Sequence, residues 1–133
     1  MYFKKSFVLL GILFIGVNGC ADIFNSDSDE VKIRIENFSE YEMKNLVVSF
    51  PDEEVEYGNI NSGANSVYKE VKKAYRYAYI ETYIQGKKAV LQPIDYVGES
   101  FLSPGSYTYE LNFDESDIDS EGNIFLNITL VKD

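Results

Sequence analysis

Length, composition and charge limit the chain to one small folded domain. Its 133 residues are 45% hydrophobic and 15% aromatic, which is enough buriable surface for a packed core and too much for a disordered chain. The 22 acidic residues outnumber the 12 basic ones, and this excess opposes nucleic-acid binding, which needs a basic surface. With no histidine and one cysteine, the chain lacks an internal disulfide, the usual zinc and copper ligands, and any Ser/His or Cys/His catalytic pair.

The N-terminal segment has the features of an export signal. Lys4 and Lys5 precede an apolar run from residue 7 to residue 17, which is shorter than the roughly 20 residues that cross a bilayer but fits a signal peptide. Residues 1–19 are therefore predicted to be a helical signal that is removed on export, leaving 10 basic against 22 acidic residues and a net charge of −12. An ordinary secretory signal and an uncleaved N-terminal anchor are the alternatives.

The residues around the single cysteine resemble a known processing motif. Val17, Asn18, Gly19 and Cys20 are similar to the lipobox of bacterial lipoproteins, with an aliphatic residue three positions before the cysteine and a small one directly before it. The resemblance implies that Val17 and Gly19 are recognised at cleavage and that the Cys20 thiol carries a diacylglyceryl group. Acyl chains add about 0.8 kcal/mol per buried CH₂, so several of them hold a protein durably at a membrane.

Residues 20–30 are predicted to be a lipidated, flexible and acidic tether. Ala21 stands where an aspartate favours retention in the inner membrane of enterobacterial-type lipoproteins, and the acidic stretch 26–30 looks like the one that accompanies surface export in Bacteroidota lipoproteins. The resemblance implies an outer-membrane location and allows display on the cell surface. For residues 26–30 a solvated linker with no such signal is the preferred interpretation, because runs of charged residues are usually solvated.

Alternating apolar and polar side chains predict seven or eight short strands after residue 30. The pattern is strict from Val31 to Glu36, and one face of the strand after residue 105 is wholly apolar. Gln85-Gly86 is typical of a two-residue hairpin turn, and Pro104-Gly105 of the centre of a type II turn. The predicted strands cover residues 31–36, 43–50, 55–58, 66–69, 75–84, 87–92, 106–113 and 123–131.

Short strands with turn signals between them predict an all-β domain, a two-sheet antiparallel β-sandwich over residues 31–133. An immunoglobulin-like topology is our first choice. The run Leu102 to Tyr107 is similar to the Leu-x-Pro-Gly-x-Tyr turn of transthyretin-like and carboxypeptidase-regulatory sandwiches, which gives the alternative topology. Residues 57–58, 75–79 and 93–99 look like segments of small uncharacterised lipoproteins of Bacteroidota, a resemblance that implies location more than activity.

A stripe of tyrosines is the first candidate binding site. Tyr75, Tyr77, Tyr79 and Tyr83 share one side of the predicted strand 75–84. If they face solvent, they form an aromatic platform for sugar rings or a partner protein. If they face inward, they are core, and Arg76 on the opposite side of the strand favours this interpretation.

An acidic loop is the second candidate. Asp117, Asp119, Glu121 and Gly122 reproduce the first half of a calcium-binding loop, in which alternate carboxylates converge on a hard cation. The twelfth position should be a glutamate and is Ile128, so a complete EF-hand is excluded and an open, weak calcium site is the remaining hypothesis. A solvated hairpin loop without metal is the preferred interpretation.

Two other kinds of motif are weaker candidates for a functional site. Asp95 and Glu99 could act as paired carboxylates on a glycoside, but such a pair needs a deep cleft that a small sandwich seldom forms. Two glycosylation sequons, at 37–39 and 127–129, lie on predicted strands and are taken as accidental.

The sequence therefore predicts a lipid-anchored envelope lipoprotein that acts as a non-enzymatic binding or structural module, with no resident cofactor. Its expected partners are the membrane, through the N-terminal lipid, and an envelope protein or polysaccharide. A surface carbohydrate-binding or calcium-dependent adhesion module is the competing function.

Overall fold

The computed structural model describes residues 30–133, which form an all-β domain. The predicted signal, Cys20 and most of the tether lie outside these residues. A three-residue 3₁₀ turn at Glu115–Asp117 is the only helical segment in the described part of the chain. The nine strands are β1 Val31–Asn37, β2 Met43–Ser49, β3 Glu54–Ile60, β4 Lys69–Val71, β5 Tyr79–Ile84, β6 Lys87–Leu91, β7 Gly105–Asn112, β8 Ile124–Phe125 and β9 Asn127–Lys132.

The strands form two sheets, as expected for a β-sandwich. One has the order β4-β1-β7-β9 and the other the order β3-β2-β5-β6-β8. Both sheets are mixed, so the prediction of purely antiparallel sheets is wrong: β1 runs parallel to β7 along its whole length, and β6 runs parallel to β8. Side-chain alternation within one strand carries no information on the direction of a partner that lies 74 residues away in the chain, as Arg34 and its partner Thr108 do.

The core lies between the two sheets, and among the described residues its buried side chains run from Val31 to Leu126, with the partly buried Ile128 and Leu130 packed against them. In β1 the residues Val31, Ile33 and Ile35 are buried while the charged residues between them are only half-buried, as the alternation predicts. Each fully buried aliphatic side chain contributes about 1.5–3 kcal/mol.

Three predicted strands differ clearly from those in the structure. The one predicted at residues 66–69 is displaced to β4, Lys69–Val71. The predicted strand 75–84 begins only at Tyr79, and the last predicted strand divides at the buried Leu126. The Leu126 N–H donates to the Val90 carbonyl (2.7 Å), so β8 continues the five-stranded sheet while β9 joins the four-stranded one. One segment thus passes from sheet to sheet and closes the side of the sandwich.

The four-stranded sheet has two distinct ends. At the tether end, the N–H of Gly105 donates to the Glu30 carbonyl (2.9 Å), directly before β1 begins. The distal end is where β1 ends at Asn37 and β7 at Asn112. It lies about 20 Å along β1, at roughly 3.3 Å for each of the six steps between its seven residues. No helix in residues 30–133 has the length and apolar character needed to cross a membrane.

Candidate binding site at the distal end

A cleft of about 550 Å³ lies at the distal end. Three segments form it: the β1–β2 loop, the β5–β6 hairpin and the chain after β7. Its walls are Phe38, Ser39, Glu40, Tyr41, Ile84, Gln85, Lys87, Asn112, Phe113, Asp114, Glu115, Ile118 and Ile124. This volume is within the range of small-molecule and side-chain pockets.

Aromatic side chains stand at the mouth of this cleft. Phe38 is 49% exposed and Tyr41 is 40% exposed, and Ile118 is exposed on the facing segment. The Tyr41 ring stacks on Phe113, with centroids 6.1 Å apart. A cluster of large apolar side chains left in solvent around a concave surface is typical of a binding site.

A buried asparagine holds the loop that carries these aromatics. The Asn37 side chain is fully buried, and its Nδ2 donates to the carbonyls of Tyr41 (2.7 Å) and Ile60 (3.0 Å). Its Oδ1 accepts from the backbone N–H and the hydroxyl of Ser39, at 2.9 and 2.7 Å. All the hydrogen-bonding atoms of the amide are satisfied, so the loop is fixed before any ligand arrives, which lowers the entropic cost of binding.

The same asparagine belongs to the first of the two sequons. Because Nδ2 lies in the interior and uses both of its hydrogens on carbonyls, it is not accessible for a glycan. The triplet Asn37-Phe38-Ser39 instead specifies a loop: the asparagine and serine hold its backbone, and the phenylalanine projects into solvent.

Charged groups surround the mouth unevenly. Three acidic residues, Glu40, Asp114 and Glu115, line the cleft together with one basic residue, Lys87 of the β5–β6 hairpin. Hydrogen bonds from the hydroxyl and backbone N–H of Ser116 hold the pKa of Asp114 below its usual range. Asp114 is thus charged at neutral pH and also caps the turn that follows β7.

The interpretation of the tyrosine stripe as core is wrong. Tyr75, Tyr77 and Tyr79 are half-buried and Tyr83 is exposed, whereas Ile80 and its neighbours on the opposite side form the core. Arg76, which favoured the core interpretation, is exposed because residues 75–78 are not part of a strand and do not alternate across a sheet.

The stripe also divides into two parts. Tyr75 lies between Tyr96 and Phe101, with ring centroids 4.5 and 4.8 Å away, and Tyr96 stacks in turn on Tyr77 at 5.5 Å. The faces of Tyr75 and Tyr96 are therefore covered by other rings. Tyr79 and Tyr83 lie on the outer face of the five-stranded sheet, where Tyr79 donates to Glu81 (3.1 Å). The four tyrosines do not form a single flat platform.

Carboxylates of the acidic loop accept hydrogen bonds from groups of the same part of the chain. Asp119 Oδ1 accepts from the N–H groups of Glu121 and Asn123, both at 2.9 Å, and Asp117 Oδ2 accepts from Asn127 Nδ2. Hydrogen bonds from the side chain and backbone of Asn123 lower the pKa of Asp119. In residues 30–133 no three histidine, cysteine or acidic side chains are placed to hold a metal ion. The predicted calcium ligation by Asp117, Asp119 and Glu121 is not supported by this geometry.

Sequence reasoning did not identify the distal cleft. A usable signal was present, since the segment between the first two predicted strands contains two aromatic residues, Phe38 and Tyr41, in a stretch of otherwise polar residues. Their exposure depends on the contact between Asn37 and Ile60, which are 23 residues apart. No local sequence pattern predicts that contact.

Comparisons with known proteins concern the fold. No family model matches the chain, and no curated protein matches it. Among solved structures, the chain is similar to the NMR structure of a protein from Eubacterium rectale, with a TM-score of 0.52 and 15% identity. The match covers 77% of this chain and 91% of the other one. At this identity the likeness shows the fold alone, and it supports the two-sheet architecture.

Proposed function

We propose that the protein is a lipid-anchored lipoprotein of the bacterial envelope that acts as a non-enzymatic binding module. One observation carries the binding part of the proposal: a loop fixed by the buried Asn37 displays Phe38 and Tyr41 beside a cleft. Rigid display of exposed aromatic side chains is how proteins build affinity at low entropic cost.

The position of the cleft fits a protein held by its N-terminus. A lipid on Cys20 would attach the domain through residues 21–30, which join the sandwich at the tether end, whereas the cleft lies at the far end of β1. The net charge of −12 after removal of the signal also repels anionic lipid surfaces and keeps the domain soluble beside them. Because the residues that follow Cys20 resemble those of outer-membrane lipoproteins, we propose an outer-membrane location for the protein. We further propose that it is displayed on the cell surface.

The chemistry of the cleft favours a protein partner over a nucleic acid or a metal. Its mouth combines Phe38 and Tyr41 with the acidic groups of Glu40 and Glu115. A complementary partner would insert an apolar side chain and place a basic residue at the acidic rim. Carbohydrate binding is the second candidate, because exposed Tyr41 and Phe38 could stack on sugar rings.

For the fold type, we keep the immunoglobulin-like sandwich as a proposal and the transthyretin-like type as its alternative. Packed sheets of four and five strands support a sandwich of this general size.

Site-specific photo-cross-linking in intact cells tests the binding proposal. A photoreactive phenylalanine analogue is placed at position 38, 41, 67 or 83, since all four side chains are exposed. Adducts are expected at positions 38 and 41 and not at 67, because only the first two border the cleft. Purified residues 21–133 should compete for adduct formation, and the same protein with Phe38→Ser should compete at least several-fold less well.

Two outcomes would contradict the cleft as the binding site. Equal adduct yields at all four positions would indicate random collision, and adducts confined to position 83 would move the site to the outer face of the five-stranded sheet.

A further inference from the structure

The loop between β6 and β7, residues 92–104, carries aliphatic side chains into solvent. Ile94 is 97% exposed and Val97 is 87% exposed, and Phe101 of the same loop is also exposed. Ile94 and Val97 border a shallow groove together with Leu126 and Ile128. Single exposed apolar residues are ordinary, but two almost fully exposed ones three residues apart form an apolar patch that marks a contact surface.

The loop holds these side chains in place. Tyr96 is stacked between Tyr75 and Tyr77, at 4.5 and 5.5 Å. The Tyr77 hydroxyl donates to the Asp95 carbonyl (3.0 Å), and the Val97 N–H donates to Asp95 Oδ1 (3.1 Å). Because Tyr96 and Asp95 are fixed, the residues on either side of them, Ile94 and Val97, are presented outward by a defined backbone.

The occupant of the patch follows from where the preceding chain joins the domain. The loop ends at Gly105, whose N–H donates to the carbonyl of Glu30, the first described residue. Residues 21–30 can span at most about 35 Å when fully extended. If Cys20 is held at a bilayer, Glu30 and the end of this loop that adjoins it lie within about 35 Å of the lipid surface. A lipid surface is therefore the occupant that the proposed anchoring brings near the patch.

The composition of this region also suits the boundary between lipid and water. The tyrosines that brace the loop combine an apolar ring with a polar hydroxyl, a combination enriched at membrane interfaces. Lys73 places its ammonium group 5.2 Å from the centre of the Phe101 ring. Asp95 and Glu99 lie on the same loop and oppose binding to anionic lipid, so the contact depends on apolar insertion and favours zwitterionic headgroups.

We infer that Ile94 and Val97 form a lipid-contacting patch that enters the headgroup region of the bilayer and orients the domain. This inference rests on the proposed anchoring at Cys20. The patch is too small to hold a free protein, but a tether makes the contact intramolecular and raises the effective concentration of lipid at the loop.

The absence of tryptophan from the chain allows a clean test. Val97→Trp introduces a single tryptophan, which can be excited without exciting the tyrosines, into residues 20–133. Cys20, the only thiol, is coupled to a maleimide lipid in phosphatidylcholine vesicles. The emission is expected to shift to shorter wavelength on coupling and to be quenched several-fold more by brominated acyl chains than in a matched Val67→Trp protein. Val67 is exposed beside β4, at the opposite edge of the four-stranded sheet from β9.

A second variant checks that the patch causes the contact. Ile94→Asp in the Val97→Trp protein is expected to abolish most of the quenching, because a charge replaces an inserted side chain. No quenching at position 97, or equal quenching at positions 97 and 67, would overturn the inference. Since the lipid is attached chemically, such a result would count against the patch and not against native acylation of Cys20.

Discussion

Asn37→Asp is expected to lower the free energy of unfolding by about 3–5 kcal/mol, because the new carboxylate cannot donate to the two carbonyls that the amide satisfies and leaves a charge in the interior. Those carbonyls belong to Tyr41 and Ile60. A small domain has only about 5–15 kcal/mol of stability in total. Urea denaturation followed by circular dichroism measures the loss.

Asn127→Asp is the matched control for this substitution. It makes the same chemical change at the other sequon, but Asn127 is exposed and donates to a single carboxylate, that of Asp117. Its expected effect is below about 1 kcal/mol. If the two variants were equally stable, the hydrogen bonds of Asn37 would not be what holds the loop, and the rigid display of Phe38 and Tyr41 would lose its basis.

Substitution of Tyr109 is expected to cause the second large loss of stability, since this side chain is fully buried between the sheets. Its ring stacks near Phe50 (6.3 Å), and its hydroxyl donates to the Tyr75 carbonyl (2.6 Å), which has no strand partner. Tyr109→Ala should destabilise the domain by about 3–5 kcal/mol through the cavity it leaves. Tyr109→Phe should cost about 1–2 kcal/mol because it removes only the hydrogen bond.

The same residue makes stability sensitive to alkali. Burial raises the pKa values of Tyr109 and Tyr57 well above 10 in the folded state, whereas unfolded tyrosines ionise near 10. The stabilisation from each is complete below pH 10 and is lost as the pH rises, at up to about 1.4 kcal/mol per pH unit per group, because the unfolded chain then releases protons that the folded protein keeps.

Thermal melts between pH 8 and pH 12 measure this dependence. Tyr109→Phe should show a shallower loss of stability above pH 10 than the wild type, since one of the two buried hydroxyls is gone. Tyr83→Phe, at an exposed position, should retain the wild-type slope. Identical slopes for all three proteins would contradict the role of the buried tyrosines.

The parts of the fold that depend on neighbours in sequence could be predicted. The alternation in Val31 to Glu36 identified the residues of β1 that enter the core, since the period of a strand is local. The hairpin turn was also predicted correctly: Gln85 and Gly86 both adopt positive φ, at 52° and 80°, as a tight hairpin requires.

The parts of the fold that depend on residues distant in sequence could not be predicted. Parallel pairing of β1 with β7 is a property of the whole topology. Tyr75 and Tyr77 leave the strand pattern because Tyr96 and Phe101 offer aromatic stacking that alternation does not encode. The distal cleft likewise requires three separate segments to meet, and no pattern within any one of them predicts it.

The anchor on Cys20 can be tested most directly by mass spectrometry of the native N-terminal peptide. Anchoring predicts a mature chain that begins at Cys20 and carries a diacylglyceryl thioether, together with a Cys20→Ser variant that leaves the detergent phase on partition. A free thiol on Cys20, or a leader still attached to it, would contradict the proposed anchoring.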